Sequence, residues 1–248
     1  MLSIKKGMNF LRADMWSQWD TLETDQKKGL PAPAVQKPYP TDAKLIALIP
    51  PEEFKVGQVS LVDVIRQRRS RRIYKEKALN LEELSFLLWA TQGIRQLINE
   101  GVTTLRTVPS GGARHPFETY LAVLHVDELQ PGLYRYLPLE HKLLFLQTVA
   151  DFEEKLKHAC SDFAHKSAVV FAWTAIPYRT AWRYNLLAPK LVAQDSGHVC
   201  QNLYLACGAI GAGACAVGAY NQNEMDALLG VDGTDEFTVY CAPVGKVS

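Results

Sequence analysis

Arg66, Arg68, Arg69, Arg71 and Arg72 place five guanidinium groups within seven positions, interrupted by Ser70. A guanidinium is a rigid fork of N–H donors that matches the oxygens of a phosphate, and a serine hydroxyl adds one more donor. The run closes a helical pattern. Cations there also complement the helix dipole, which accounts for one or two arginines; a solvated basic face is the plain alternative. At about 1.5–3 kcal/mol per charge-assisted bond, two or three contacts from this run would anchor a monophosphate firmly. A second segment, Pro109-Ser110-Gly111-Gly112-Ala113, precedes a long apolar run. Its glycines let backbone amides approach a flat ligand closely, although an ordinary turn before a strand would read the same way. A third segment runs from Gly208 to Gly218. Its glycines lack GxGxxG spacing and follow a helix instead of leading into one, so they do not make a dinucleotide fold. Gly208 and Gly211 read as close-packing positions, while Val217, Gly218 and Ala219 remain able to cover one face of a ring.

No GxSxG elbow, carboxylate pair or metal-ligand spacing is present, and none of the five cysteines forms a CxxC pair. Reduced, mostly buried thiols are expected. A phosphate anchor beside glycine-rich walls, without an acid–base constellation, suits an enzyme whose cofactor carries the chemistry.

Lys and Arg number 27 against 26 Asp and Glu. That near balance argues against a nucleic-acid partner, which selects a clear basic excess. No stretch approaches the roughly 20 apolar residues of a membrane span, and the N-terminus lacks the apolar core of a secretory signal. A cytoplasmic location is the expectation.

The elements that must position these segments begin after an unusual stretch. Residues 30–51 hold six prolines and no sustained periodicity, so residues 1–56 read as a Pro-rich arm running extended over a surface, expected to wrap a partner subunit. Residues 57–248 read as one domain. Ser60 and Asp63 form a capping-box pattern before Leu61, Val64 and Ile65. A second helix starts at Asn80, with Glu83 three residues on, and stops near Gly93. Residues 117–126 and 166–176 read as strands covered on both faces, and residues 133–146 as a hairpin turning at 138–141. A helix over 196–210, a short helix from Asn221 to Gly230 and a last strand over 237–244 complete the pattern. Strands and helices do not alternate as βαβ units, which favours an α+β layer fold.

Taken together, RRSRRIY (68–74), VPSGGARHP (108–116), GLYRY (132–136), GHVCQNLYLACGAIGAGACAVGAY (197–220) and PVGK (243–246) resemble the FMN-dependent nitroreductase superfamily. Within it the wording is most similar to the SagB-type dehydrogenase branch, which includes oxidases that turn azolines into azoles. The resemblance implies a three-layer α+β sandwich around a mainly antiparallel sheet, assembled as a domain-swapped homodimer with FMN at the interface. It implies that Arg68, Arg69 and Ser70 grip the FMN phosphate and ribityl chain, and that Arg72 lies near flavin N1 and O2, where it stabilises the reduced ring. Pro109, Ser110, Gly111, Gly112 and Ala113 would line the ring edge, Val217, Gly218 and Ala219 would cover a face, and Lys246 would return to the phosphate. Many relatives carry Asn where this chain has Ala113. Azoline oxidases use a Lys-Tyr pair as base at the place that reads Arg183-Tyr184 here. A permanently charged Arg183 makes a poor base, leaving Tyr184 to donate a proton or orient a substrate. The implied activity is ping-pong hydride transfer between NADH or NADPH and a small molecule. A peptide-azoline dehydrogenase and a flavin-storage protein are the alternatives.

Overall fold

The two longest apolar runs form the middle of the molecule. In this computed structural model, which describes residues 4–99 and 102–247, β4 (Phe117–Val123) and β7 (Val169–Ala175) are buried at every position. Side chains of a strand alternate between faces. Leu121 and Val123 therefore join one core and Tyr120 and Ala122 another. Flanking strands are β1 (Leu45–Ala47), β5 (Gly132–Leu137), β6 (Lys142–Gln147), β8 (Ala212–Ala214) and β9 (Phe237–Lys246). The sheet runs β1-β6-β5-β4-β7-β9-β8 with every neighbouring pair antiparallel. A separate hairpin pairs β2 (Ile94–Ile98) with β3 (Thr103–Arg106).

Helices cover both faces, giving three layers. On one side α3 (Leu81–Gln92) and α6 (Ala188–Ala209) contribute Leu84, Leu87, Leu88, Val199 and Leu203 to the first core. On the other, α4 (Phe152–Ala159) and α7 (Gln222–Leu229) contribute Leu156, Met225 and Leu229 to the second. The expected α+β architecture is the one observed. No helix among the described residues is long and apolar enough to cross a membrane.

Local signals account for several boundaries. Asn80 accepts from the Glu83 amide at 2.8 Å while Glu83 accepts from the Asn80 amide at 3.1 Å, closing the capping box, and Gly93 ends α3. Asn221 caps α7, and Gly230 ends it in the left-handed region. α2 (Leu61–Gln67) forms without the expected Ser60 side-chain cap. The start of α6 lies at 188, eight residues before the expected 196. The face buried by Val192 and Val199 is interrupted at Asp195, a carboxylate at a core position. β1, β2, β3, β8, α4 and α5 (Tyr178–Tyr184) are further elements that the apolar pattern did not announce.

Carbonyls of the arm accept hydrogen bonds from side chains of the same chain. Arg106 donates to the Val35 carbonyl, Arg135 to the carbonyls of Lys37 and Pro38, and the Trp182 indole to that of Leu30. β1, inside the arm, adds an edge strand to β6. These partners satisfy the carbonyls of a segment whose prolines and extended course give it no ladder of its own. An α1 helix (Ile4–Leu11) precedes them.

Candidate functional site

The arginine run begins where α2 stops. Arg68 leaves helical geometry with ψ 123°, so the following residues extend along β8 and the end of α6. The Arg71 amide donates to the Ala214 carbonyl at 2.8 Å. Its stem lies on Gly213, where a Cβ would come within 2.4 Å of Arg71 Cγ; only glycine admits that approach. Ser70 Oγ shares a 2.9 Å hydrogen bond with the Tyr204 hydroxyl, which also accepts from the Ala216 amide. The Arg68 guanidinium stands 5.4 Å from the Tyr204 ring centre. Arg66 pairs with Asp63 at 3.0 Å. Arg68, Arg69 and Arg72 are exposed, and among the described residues none of them has a carboxylate within ion-pair distance. Arg72 lies beside Cys215, whose thiol is held above its ordinary range by burial, with Arg72 pulling it back. Arg68, Arg69 and Arg71 line a recess of about 190 Å³ together with Gln67 and Tyr204; Asp63, the partner of Arg66, stands at its edge, and Arg72 lies outside it beside Cys215.

The Pro109–Ala113 loop is strained and clamped. Gly112, Ala113 and His115 all have left-handed backbones, with φ 60°, 52° and 45°. For a residue with a Cβ this costs about 1–2 kcal/mol. A carboxylate from α6 opposes it: Ser110 Oγ donates to Asp195 Oδ2 at 2.6 Å and the Gly111 amide to Oδ1 at 3.2 Å. Ser110 Oγ in turn accepts from the His115 amide at 2.9 Å. Asp195 is 3% exposed. Burial raises its pKa, while the Ser110 and Gly111 donors pull it down. Burial and the neighbouring Arg106 push His115 down to about 3, so its ring is neutral.

A model of the nitroreductase family matches residues 65–246. The chain belongs to the nitroreductase family. A Methanocaldococcus jannaschii protein bearing a nitroreductase name, MJ1384, is 32% identical over 192 residues, covering 77% of this chain and 93% of that protein. The trifolitoxin-processing protein TfxB of Rhizobium leguminosarum bv. trifolii is 27% identical over 133 residues, 51% of this chain and 36% of that protein. Among solved structures, a nitroreductase-named protein of Ralstonia eutropha JMP134 superposes with a TM-score of 0.68 at 25% identity, covering 88% of this chain and 95% of that one.

Within this nitroreductase-family fold the expected site residues fall into separate groups. Arg68, Arg69 and Ser70 gather near Tyr204 and Arg72 lies beside Cys215, whereas Ser110 and Gly111 gather on Asp195. The separation of nine residues between Asp195 and Tyr204 spans roughly 14 Å of α6 at about 1.5 Å per residue. Pro109, Ser110 and Ala113 line a cavity of about 850 Å³. Gly111 and Gly112 turn away from it, Gly111 onto Leu191 and Gly112 onto Tyr184 and Arg183, whose atoms a Cβ would meet at 2.5 and 2.9 Å. Arg183 and Tyr184 therefore stand behind the loop. Trp16 and Trp19 of the arm cover the Tyr184 ring at centroid distances of 6.0 and 5.5 Å.

Two expected contributors sit elsewhere. Val217 is buried in the second core, so its side chain covers no open face, while Gly218 and Ala219 beside it are exposed. The Lys246 ammonium is buried against the Glu83 carboxylate and the Ile210 carbonyl. A lysine drawn into the core is stable there only with such a partner. Asp195 and Tyr204 were not singled out from the sequence. The one signal available was an acidic residue on the otherwise apolar face of α6. All five cysteines are free and buried, as expected.

Proposed function

We propose that this protein binds FMN and transfers hydride equivalents by a ping-pong mechanism between NADH or NADPH and a second small molecule. The observation that carries the reading is the set of exposed arginines without carboxylate partners, Arg68, Arg69 and Arg72. A monophosphate supplies the missing negative charge, and Gly213 lets the Arg71 stem lie flat so that its neighbours face outward. Bound FMN would supply the hydride acceptor and donor. Arg68, Arg69 and Ser70 hold its phosphate and ribityl chain, and Arg72 places a positive charge where the ring gains negative charge. Pro109, Ser110 and Ala113 form a wall whose shape is held by Asp195.

The phosphate cradle and the loop stand at separate stations on α6, which supports a site shared by two copies of the chain. Leu61, Val62, Ile65 and Ile73, 58–88% exposed, surround the arginines with apolar surface. A homodimer that covers them would bring one copy's loop toward the other's cradle. The free cysteines favour the cytoplasm.

A SagB-type dehydrogenase acting on a peptide azoline is the second reading, favoured by the likeness to TfxB and by Tyr184 lying against Gly112. An anaerobic absorbance spectrum separates the readings. A yellow protein bleached by NADH or NADPH is expected. Yellow protein that only a modified peptide bleaches selects the second reading, and tight FMN with neither response indicates storage. A protein that stays colourless when FMN is supplied overturns the proposal.

A further inference from the structure

We infer that the cavity between α2, α3 and the β2–β3 hairpin seats a substrate with a carboxylate or similar anion on a flat apolar body, anchored by Arg95. The inference rests on the flavin reading and names the substrate class for it.

The cavity, about 850 Å³, has the size of a small-molecule site. Its apolar wall is built from Phe86, Trp89, Leu105 and Val59. Phe86 and Trp89 stack with centroids 6.4 Å apart and planes inclined at 29°, so they offer broad ring surface. Among the described residues the charged lining is of one sign: Arg95 and Arg106 line the cavity, and no Asp or Glu does.

Among the described residues neither arginine has a carboxylate within ion-pair distance. Arg106 is 4% exposed and hydrogen-bonds only neutral groups: Thr104 Oγ1 at 3.1 Å, Gln92 Oε1 at 2.8 Å and the Val35 carbonyl at 3.0 Å. Burial lowers its pKa to about 10, which leaves it charged near neutrality. Among the described residues Arg95 is exposed and has no ion pair. Two positive charges in a concave, low-dielectric wall focus a positive potential into the cavity. Each of the three Arg106 nitrogens already donates to a neutral acceptor, so its main contribution is field. Arg95 supplies the free fork that accepts a carboxylate in two parallel bonds. Pro109, Ser110 and Ala113 close another wall, so an occupant would meet the surface proposed to face the flavin.

The test uses FMN-loaded protein with two nitroaromatic acceptors of the same shape, 4-nitrobenzoate and 4-nitrobenzyl alcohol. Arg95→Gln should raise KM for the benzoate about tenfold or more, the value of one charge-assisted contact. Its kcat should stay within about twofold, and both constants for the alcohol should be unchanged. Arg95→Lys should recover part of the benzoate KM. Benzoate binding to wild-type and Arg95→Gln protein, followed by tryptophan fluorescence without FMN, supplies a readout that does not depend on turnover. Equal KM and equal benzoate affinity in wild type and Arg95→Gln would overturn the inference, as would an equal loss for acid and alcohol. Failure to bind FMN would instead overturn the flavin reading and leave the fluorescence comparison standing as the test of the anion site.

Discussion

Replacing Asp195 by alanine should loosen the Pro109–His115 loop far more than it destabilises the fold. The carboxylate receives the Ser110 hydroxyl at 2.6 Å and the Gly111 amide at 3.2 Å. At about 1.5–3 kcal/mol for each bond to a charged group, its loss removes about 3–6 kcal/mol of gross interaction. Part is recovered, because burying the carboxylate itself costs several kcal/mol. The loop's own strain, about 1–2 kcal/mol each at Ala113 and His115, is then unopposed. A net global loss of about 1–3 kcal/mol is expected, together with at least tenfold weaker FMN binding.

The asparagine variant separates charge from shape. An ionised Asp195 has a native pKa above its ordinary 3.8. Between those two values the folded state binds more protons than the unfolded one. The carboxyl's contribution to stability is therefore greatest at low pH, falls as pH rises through the window, and stays unfavourable above it. His198 lies 3.8 Å from Asp195 and is half exposed, while His115 across the loop stays neutral. Asp195→Asn should lack that slope and melt at or above the wild-type temperature at pH 7. It should still bind FMN more weakly, because its amide presents a donor to one of the two N–H or O–H groups. Amide exchange over residues 110–115, melting curves from pH 3 to 8 and FMN titrations read these effects separately. Wild-type exchange and wild-type FMN affinity in Asp195→Ala would refute the reasoning.

Gly112→Ala should cost about 1–3 kcal/mol, because its φ of 60° disfavours a side chain and the new Cβ would meet the Tyr184 hydroxyl at 2.5 Å; Tyr184→Phe added to it should restore part of the melting temperature. His115→Gln should remove a component of acid unfolding. Its native pKa of about 3 lies below the ordinary 6.5, so its stabilising effect is present above 6.5 and is lost as pH falls toward 3, at no more than about 1.4 kcal/mol per pH unit, as denaturant curves across that range would show. Asn80→Ala should lower stability by about 1 kcal/mol in urea melts through loss of the α3 cap. Lys246→Met alone should cost about 3–5 kcal/mol by stranding the Glu83 carboxylate; paired with Glu83→Leu it should fold and bind FMN with wild-type affinity, and a large loss in that double variant would return Lys246 to the phosphate site.

Much of this molecule was legible from local chemistry. The unbroken apolar runs that became β4 and β7 could only be strands sealed on both faces. Asn80 with Glu83 marked a helix start through bonds made within one turn. These readings succeed because both partners of each interaction lie close in the chain. Where the partner lies far away, the tertiary structure decided. Lys246 belongs to Glu83, 163 residues distant, because the end of β9 is buried and a desolvated ammonium takes the carboxylate that packing sets before it. The arm lies on its own chain because Arg106 and Arg135, folded beneath it, needed carbonyl acceptors. Asp195 is an ordinary acidic residue in a helical stretch until α6 packs behind Ser110 and Gly111. Only then does burial, which penalises an unpaired carboxylate, make it the clamp of the loop.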